Sequence, residues 1–78
     1  MNTQDKLKEV FAEALAIKPE EVTIDLKYSE HPAWDSIAHM SLVAAIENAF
    51  DIMIDAEEVI DMSSFGKAIE IVEKHLLT

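Results

Sequence analysis

The sequence predicts an all-α bundle of three main helices and a short extra one, with a long first loop. Half of the 78 residues are hydrophobic, and only one glycine and two prolines interrupt them, so the chain can build an interior without a turn-rich sheet. Ala, Leu, Glu, Met and Lys, all good helix formers, are common. Apolar residues recur at helical spacing in several windows, each preceded by a capping residue. A chain of this length has room for one core, so residues 1–78 are read as a single domain.

The elements follow in order. Leu7, Val10, Phe11, Ala14 and Leu15 share one face of a helix over Asp5–Ala16, capped by Thr3 or Asn2 and closed ahead of Pro19. Residues 18–34, KPEEVTIDLKYSEHPAW, have no sustained period. Val22, Ile24, Leu26 and Tyr28 alternate as a strand would, but no second strand is available to pair with them. A long loop pinned by apolar side chains is therefore expected, and loops of this length often have functional content. Asp35 caps a second helix over Ser36–Phe50. Its stripe is Leu42, Val43, Ile46, Ala49 and Phe50, joined by His39; Ile37, Met40 and Ala44 flank it, and Ser41, Ala45 and Asn48 lie opposite. Ile52 and Ile54 are loop anchors, and Asp55 with Glu58 forms a capping box for a short helix, AEEVI. Ser63 or Ser64 caps the last helix, which buries Phe65, Ala68, Ile69, Val72 and Leu76 with Ile71 beside them. Gly66 weakens its first turn.

Charge and residue types exclude several functions. Sixteen acidic residues face six basic ones, all lysine, for a net charge of −10. Nonspecific nucleic-acid binding needs the opposite balance; a basic protein partner or a small cationic ligand suits this surface, and solubility alone is the plain alternative. The absence of cysteine removes disulfides and thiolate chemistry and agrees with a cytoplasmic location. MNTQDKLKEV has no apolar run before its first charges, so no secretory signal is expected, and no stretch is long enough for a membrane span. His31, His39 and His75 stand in separate settings and no calcium-loop pattern occurs, so no metal site is expected. His75 reads as a favourable cation near a helix carboxyl end. Glu20/Glu21 and Glu57/Glu58 read as solvated faces first and as docking charges second.

One stretch, WDSIAHMS, asks for chemistry. Ser36 falls at a helix amino end, where unpaired backbone donors and a positive dipole favour anions and phospho-linked groups. Its side chain projects from a loop within reach of another protein; the simpler reading is an ordinary first-turn residue. Asp35, Ser36 and His39 also contain the residue types of a hydrolytic triad. No glycine-rich oxyanion hole and no G-x-S-x-G elbow accompany them, so hydrolysis is rejected.

Asp35-Ser36-Ile37, followed by an amphipathic helix ending Ile46-Glu47-Asn48-Ala49-Phe50, resembles the acyl carrier protein family, whose attachment motif is Asp-Ser-Leu at the start of the second helix. The likeness covers nearly the whole chain, including the capped turn at Asp55 and the Ser63-Ser64-Phe65 entry to the last helix. It implies a four-helix acyl-carrier-like bundle with 4'-phosphopantetheine on Ser36, moved there from coenzyme A by a phosphopantetheinyl transferase. By the same likeness Asp35 helps position the transferase's magnesium and Ile37 inserts into its apolar patch. The chain would then be a non-catalytic carrier, expected to be a monomer, that holds acyl intermediates as thioesters. It would serve an adenylating or acyl-transferring enzyme and a downstream acceptor enzyme.

Matching positions make Tyr28, His39, Met40, Val43, Ile46, Ile54, Met62, Ala68 and Ile71 candidates for the acyl pocket or its rim. Glu30, Glu47, Glu57, Glu58 and Asp61, with Asp35, are candidates for partner docking. The chain departs from the family pattern at Ala33, where glycine is common, at Trp34, where a small or acidic residue is common, and at Ile37 in place of leucine. Ala38 and Ser41 stand where carriers of fatty-acid synthesis are acidic, so the sequence looks more like a stand-alone carrier of a specialised pathway. An aminoacyl or peptidyl carrier of the same fold, and a noncatalytic helical interaction domain, are the alternatives.

Overall fold

A computed structural model describes residues 2–77. Helix α1 (Thr3–Leu15) starts two residues earlier than the sequence spacing predicts, because Asn2 is its cap: Asn2 Oδ1 accepts from the Asp5 amide at 2.8 Å. It ends on Ala16, whose φ of 56° is left-handed, and the Ile17 amide reaches back to the Ala12 carbonyl at 3.0 Å. This is a Schellman closure made without glycine.

Helix α2 (Ser36–Phe50) has the predicted bounds. Asp35 Oδ1 accepts from the Ala38 amide at 2.9 Å, and the helix ends on left-handed Asp51. Leu42, Val43 and Ile46 are buried with His39, as the stripe requires. The flanking ridge is not: Ile37 and Met40 are 82% and 60% exposed, and Ala44 faces solvent while Ala45 is half-buried. Helix α2 is packed on one side only, so its second apolar ridge stays on the surface.

Helix α3 (Ala56–Asp61) has its capping box between Asp55 and Glu58, and α4 (Phe65–Leu76) is capped by Ser64 Oγ, which accepts from the Lys67 amide at 3.0 Å. Among the described residues there is no strand, but the alternating segment of the first loop does find a partner. Lys27 forms a single antiparallel bridge with Ser64, through Tyr28 N–H to Ser63 O and Phe65 N–H to Leu26 O, both 2.9 Å. Val22 and Leu26 point into the core, while Ile24 is largely exposed. A single helical turn, Pro19–Glu21, anchors the loop's other end. There His31 Nδ1 accepts from the Ala33 amide at 3.1 Å, so its Nε2 carries the hydrogen facing Glu21 Oε1 at 3.2 Å.

The core joins all four helices and the loop. Trp34, which has no role as a cap, is its largest wholly buried side chain. Its ring meets Phe11 edge-on at 5.2 Å between centroids, and Phe11 meets Phe65 in the same way at 5.0 Å. Trp34 thereby fixes the end of the loop to α1 directly and to α4 through Phe11.

Candidate functional site

Ser36 is the first residue of α2 and is exposed, one residue beyond the buried Trp34. The alternation follows from local geometry. The backbone enters the helix at Asp35 in extended conformation, which sends Trp34 inward and leaves Asp35, Ser36 and Ile37 outside. Ser36 Oγ is hydrogen-bonded to the phenol of Tyr28 at 2.9 Å.

Beneath this pair is a polar chain. Trp34 Nε1 donates to His39 Nδ1 at 2.9 Å, so the other ring nitrogen of His39 must carry the hydrogen it gives to the Val59 carbonyl at 2.8 Å. The imidazole stacks on the indole at 5.9 Å and ties α2 to α3. With both nitrogens committed inside the protein, His39 is not a base for Ser36, and Asp35 is occupied with its cap. The three residue types of a triad are present but are not assembled as one.

A cleft of about 260 Å³ opens beside the Tyr28–Ser36 pair, lined by Tyr28, His39, Val59, Ile60, Met62 and Ser63. Three of the nine pocket candidates therefore line it. Val43, Ile46, Ile54, Ala68 and Ile71 are buried in the core instead, and Met40 is mostly solvent-facing. Val59, Ile60 and Ser63 were not expected from the sequence. The register of Val59 and Ile60 follows from where α3 settles, and a six-residue helix has too short a period to reveal it; Ser63 lies in the connection beyond it.

The acidic candidates divide as well. Glu30, Glu57 and Asp61 are exposed. Glu47 is half-buried, and its Oε2 accepts from the Ile54 amide at 2.8 Å, closing the turn after α2. Glu58 corrects the expectation of a docking charge: it is 8% exposed and accepts from His75 Nε2 at 2.8 Å, the Asp55 amide at 3.1 Å and Lys74 Nζ at 3.4 Å. Those hydrogen bonds, that of His75 first, hold its carboxyl below the usual glutamate range. His75 is thus half of a clasp between α3 and α4 and not merely a terminal cation. Glu21 is held down in the same direction, by the Lys18 amide first and by His31 second.

Among the described residues no group of three or more His, Asp or Glu side chains could hold a metal ion. Among the same residues, no helix is long and apolar enough to cross a membrane.

Residues 5–72 match the family model for a phosphopantetheine attachment site. An acyl carrier protein of Sulfurovum sp. (strain NBC37-1) is 38% identical over 69 residues, which cover 88% of this chain and 92% of the relative. An acyl carrier protein of Wolinella succinogenes is 36% identical, again over 88% of this chain and 91% of its own length. The solution structure of holo acyl carrier protein from Geobacter metallireducens superposes with a TM-score of 0.85 at 26% identity, covering 99% of this chain and 88% of that one. The residues present fit a covalently attached arm, since an exposed hydroxyl at a helix start stands beside an apolar cleft. The chain belongs to the acyl carrier protein family, and its prosthetic group is 4'-phosphopantetheine.

Proposed function

We propose that Ser36 is the attachment residue and that the chain carries acyl groups between enzymes without catalysing their chemistry. The observation that carries this reading is the exposed Ser36 hydroxyl at the amino end of α2. In the transfer, Ser36 Oγ forms a bond to the phosphorus of coenzyme A that bears the pantetheine. The nucleotide half leaves with the electrons of the broken P–O bond, and the serine proton passes to the transferase or to solvent. The attached arm supplies a terminal thiol for thioester formation, which a cysteine-free chain lacks.

The neighbouring residues take separate parts. Asp35 uses Oδ1 for its cap and has its other oxygen to offer the transferase's magnesium. Ile37, exposed beside Ser36, offers the transferase an apolar contact. Glu30, Glu57 and Asp61 steer enzymes with basic docking faces, including the one that loads the cargo and the one that accepts it.

The cleft favours an acyl over an aminoacyl cargo. Its walls include Val59, Ile60 and Met62, and the polar atoms of His39 and Tyr28 already have partners. A cationic amino group entering it would lose water and meet no carboxylate, only neutral oxygens such as the hydroxyls of Tyr28 and Ser63. At about 260 Å³ it lies just below the ~300–1,000 Å³ usual for ligand pockets, which suits a short chain.

Incubation with coenzyme A, magnesium and a broad-specificity phosphopantetheinyl transferase should raise the mass by one phosphopantetheinyl group, and S36A should stay at its starting mass. Folded wild-type protein left unmodified by several such transferases overturns the proposal. Loading hexanoyl- and glycyl-phosphopantetheine in parallel distinguishes the cargoes, because only the acyl form should raise the thermal midpoint.

A further inference from the structure

The phenol of Tyr28 has a place in the site that packing does not require. The ring alone makes the packing contacts, edge-on to Trp34 at 6.1 Å and to His39 at 5.2 Å between centroids. Its backbone is tied to the α3–α4 junction through Ser63. The ring is thereby fixed at the rim of the cleft, and its hydroxyl is held 2.9 Å from Ser36 Oγ.

A hydroxyl can donate one hydrogen and accept through two lone pairs, so this bond can run either way. With Ser36 donating, the serine lone pairs stay available for attack at phosphorus. Esterification removes the serine proton. Any hydrogen bond made there afterwards must be donated by the phenol, and the charged phosphate oxygens, one covalent bond beyond Oγ, are stronger acceptors than the ester oxygen. Phenylalanine would keep the ring packing and could play neither part.

We infer that Tyr28 is a positioning residue for the prosthetic arm: its phenol orients the Ser36 hydroxyl before transfer and donates to the phosphodiester afterwards. The inference rests on attachment at Ser36. With Y28F the transferase should show kcat lowered about fivefold, the worth of one ordinary hydrogen bond, at nearly unchanged KM. The ³¹P resonance of the holo variant should be displaced from that of holo wild type, which a purely packing role would not produce. A second measurement needs no variant. Tyr28 is the chain's one tyrosine, so its ¹³Cζ signal is unambiguous and should move between apo and holo protein as the phenol's partner changes from a neutral hydroxyl to a charged phosphate oxygen. Coincident ³¹P signals in the two holo proteins, or an unmoved Cζ signal, overturn the inference while leaving the carrier intact. Failure of wild type to gain the arm at all instead removes the attachment at Ser36.

Discussion

At the scale of single residues, two side chains decide how firmly the site is held. Trp34 and His39 form one buried unit, in which the indole N–H satisfies Nδ1 and the imidazole spends its own hydrogen on the Val59 carbonyl. W34F keeps an aromatic ring but leaves Nδ1 buried without a donor, at a cost of about 1–3 kcal/mol. The urea midpoint should fall accordingly, and an unchanged midpoint would mean that the bond contributes nothing. Gly66 works in the opposite direction. It sits in the first turn of α4 at an ordinary negative φ, and an added Cβ would meet Ile24 side-chain carbons at 3.5 and 3.6 Å, normal packing distances. G66A should therefore stabilise the fold by about 0.5–1 kcal/mol through helix propensity and lower chain entropy. A loss of stability in thermal unfolding would show that the Ile24 contact cannot accommodate a methyl group.

At the scale of elements, α3 is the one that cannot stand by itself. Six residues do not repay the cost of helix nucleation, so its position depends on the capping box, on His39 at Val59, and on Glu58 gripping Lys74 and His75 of α4. Since the folded pKa of Glu58 is depressed, its contribution is fully present above the unfolded glutamate pKa. It is lost as pH falls through the lower folded value. E58Q should accordingly expose α3 amides to faster hydrogen exchange at pH 7, and the gap from wild type should close in acid, where the native carboxyl is itself protonated. A gap that persists unchanged at low pH would assign the effect to shape and not to charge. This clasp also marks where sequence reasoning stops. The span and main stripe of helix α2 were legible because the Asp35 cap and the apolar spacing are local signals, whereas the exposure of Ile37, Met40 and Ala44 was not. Of Glu58 only the capping box with Asp55 was legible; its hold on Lys74 and His75 was not, because those partners lie sixteen and seventeen residues away and chain spacing does not record which charges a fold brings together. The same holds for Tyr28 and Ser36, eight residues apart, and for the Lys27–Ser64 bridge. Ser36, by contrast, could be singled out because its exposure follows from its position at a capped helix start.

At the scale of the whole molecule, the net charge of −10 sits on a body of only 33 × 28 × 20 Å. Apart from the clasp at Glu58 and the Glu21–His31 pair, pairing relieves little of it: Lys67–Glu70 is an exposed pair at 3.8 Å, and such pairs contribute about 0–1 kcal/mol. At 0.01 M salt the screening length is about 30 Å, close to the longest dimension, so nearly every acidic group repels every other; at 0.15 M it is about 8 Å, and only neighbours interact. Self-repulsion opposes the compact state, and removing it should raise the thermal midpoint. For a domain of this size each ~1 kcal/mol so recovered corresponds to about 4–8 °C. Because the screening length changes most at low ionic strength, the rise should be steep below about 0.15 M sodium chloride and nearly flat above it. A midpoint that falls over that range would show that specific ion pairs, which salt weakens, outweigh the global repulsion. A rise that continues linearly to molar salt would point instead to exclusion of the salt from the protein surface.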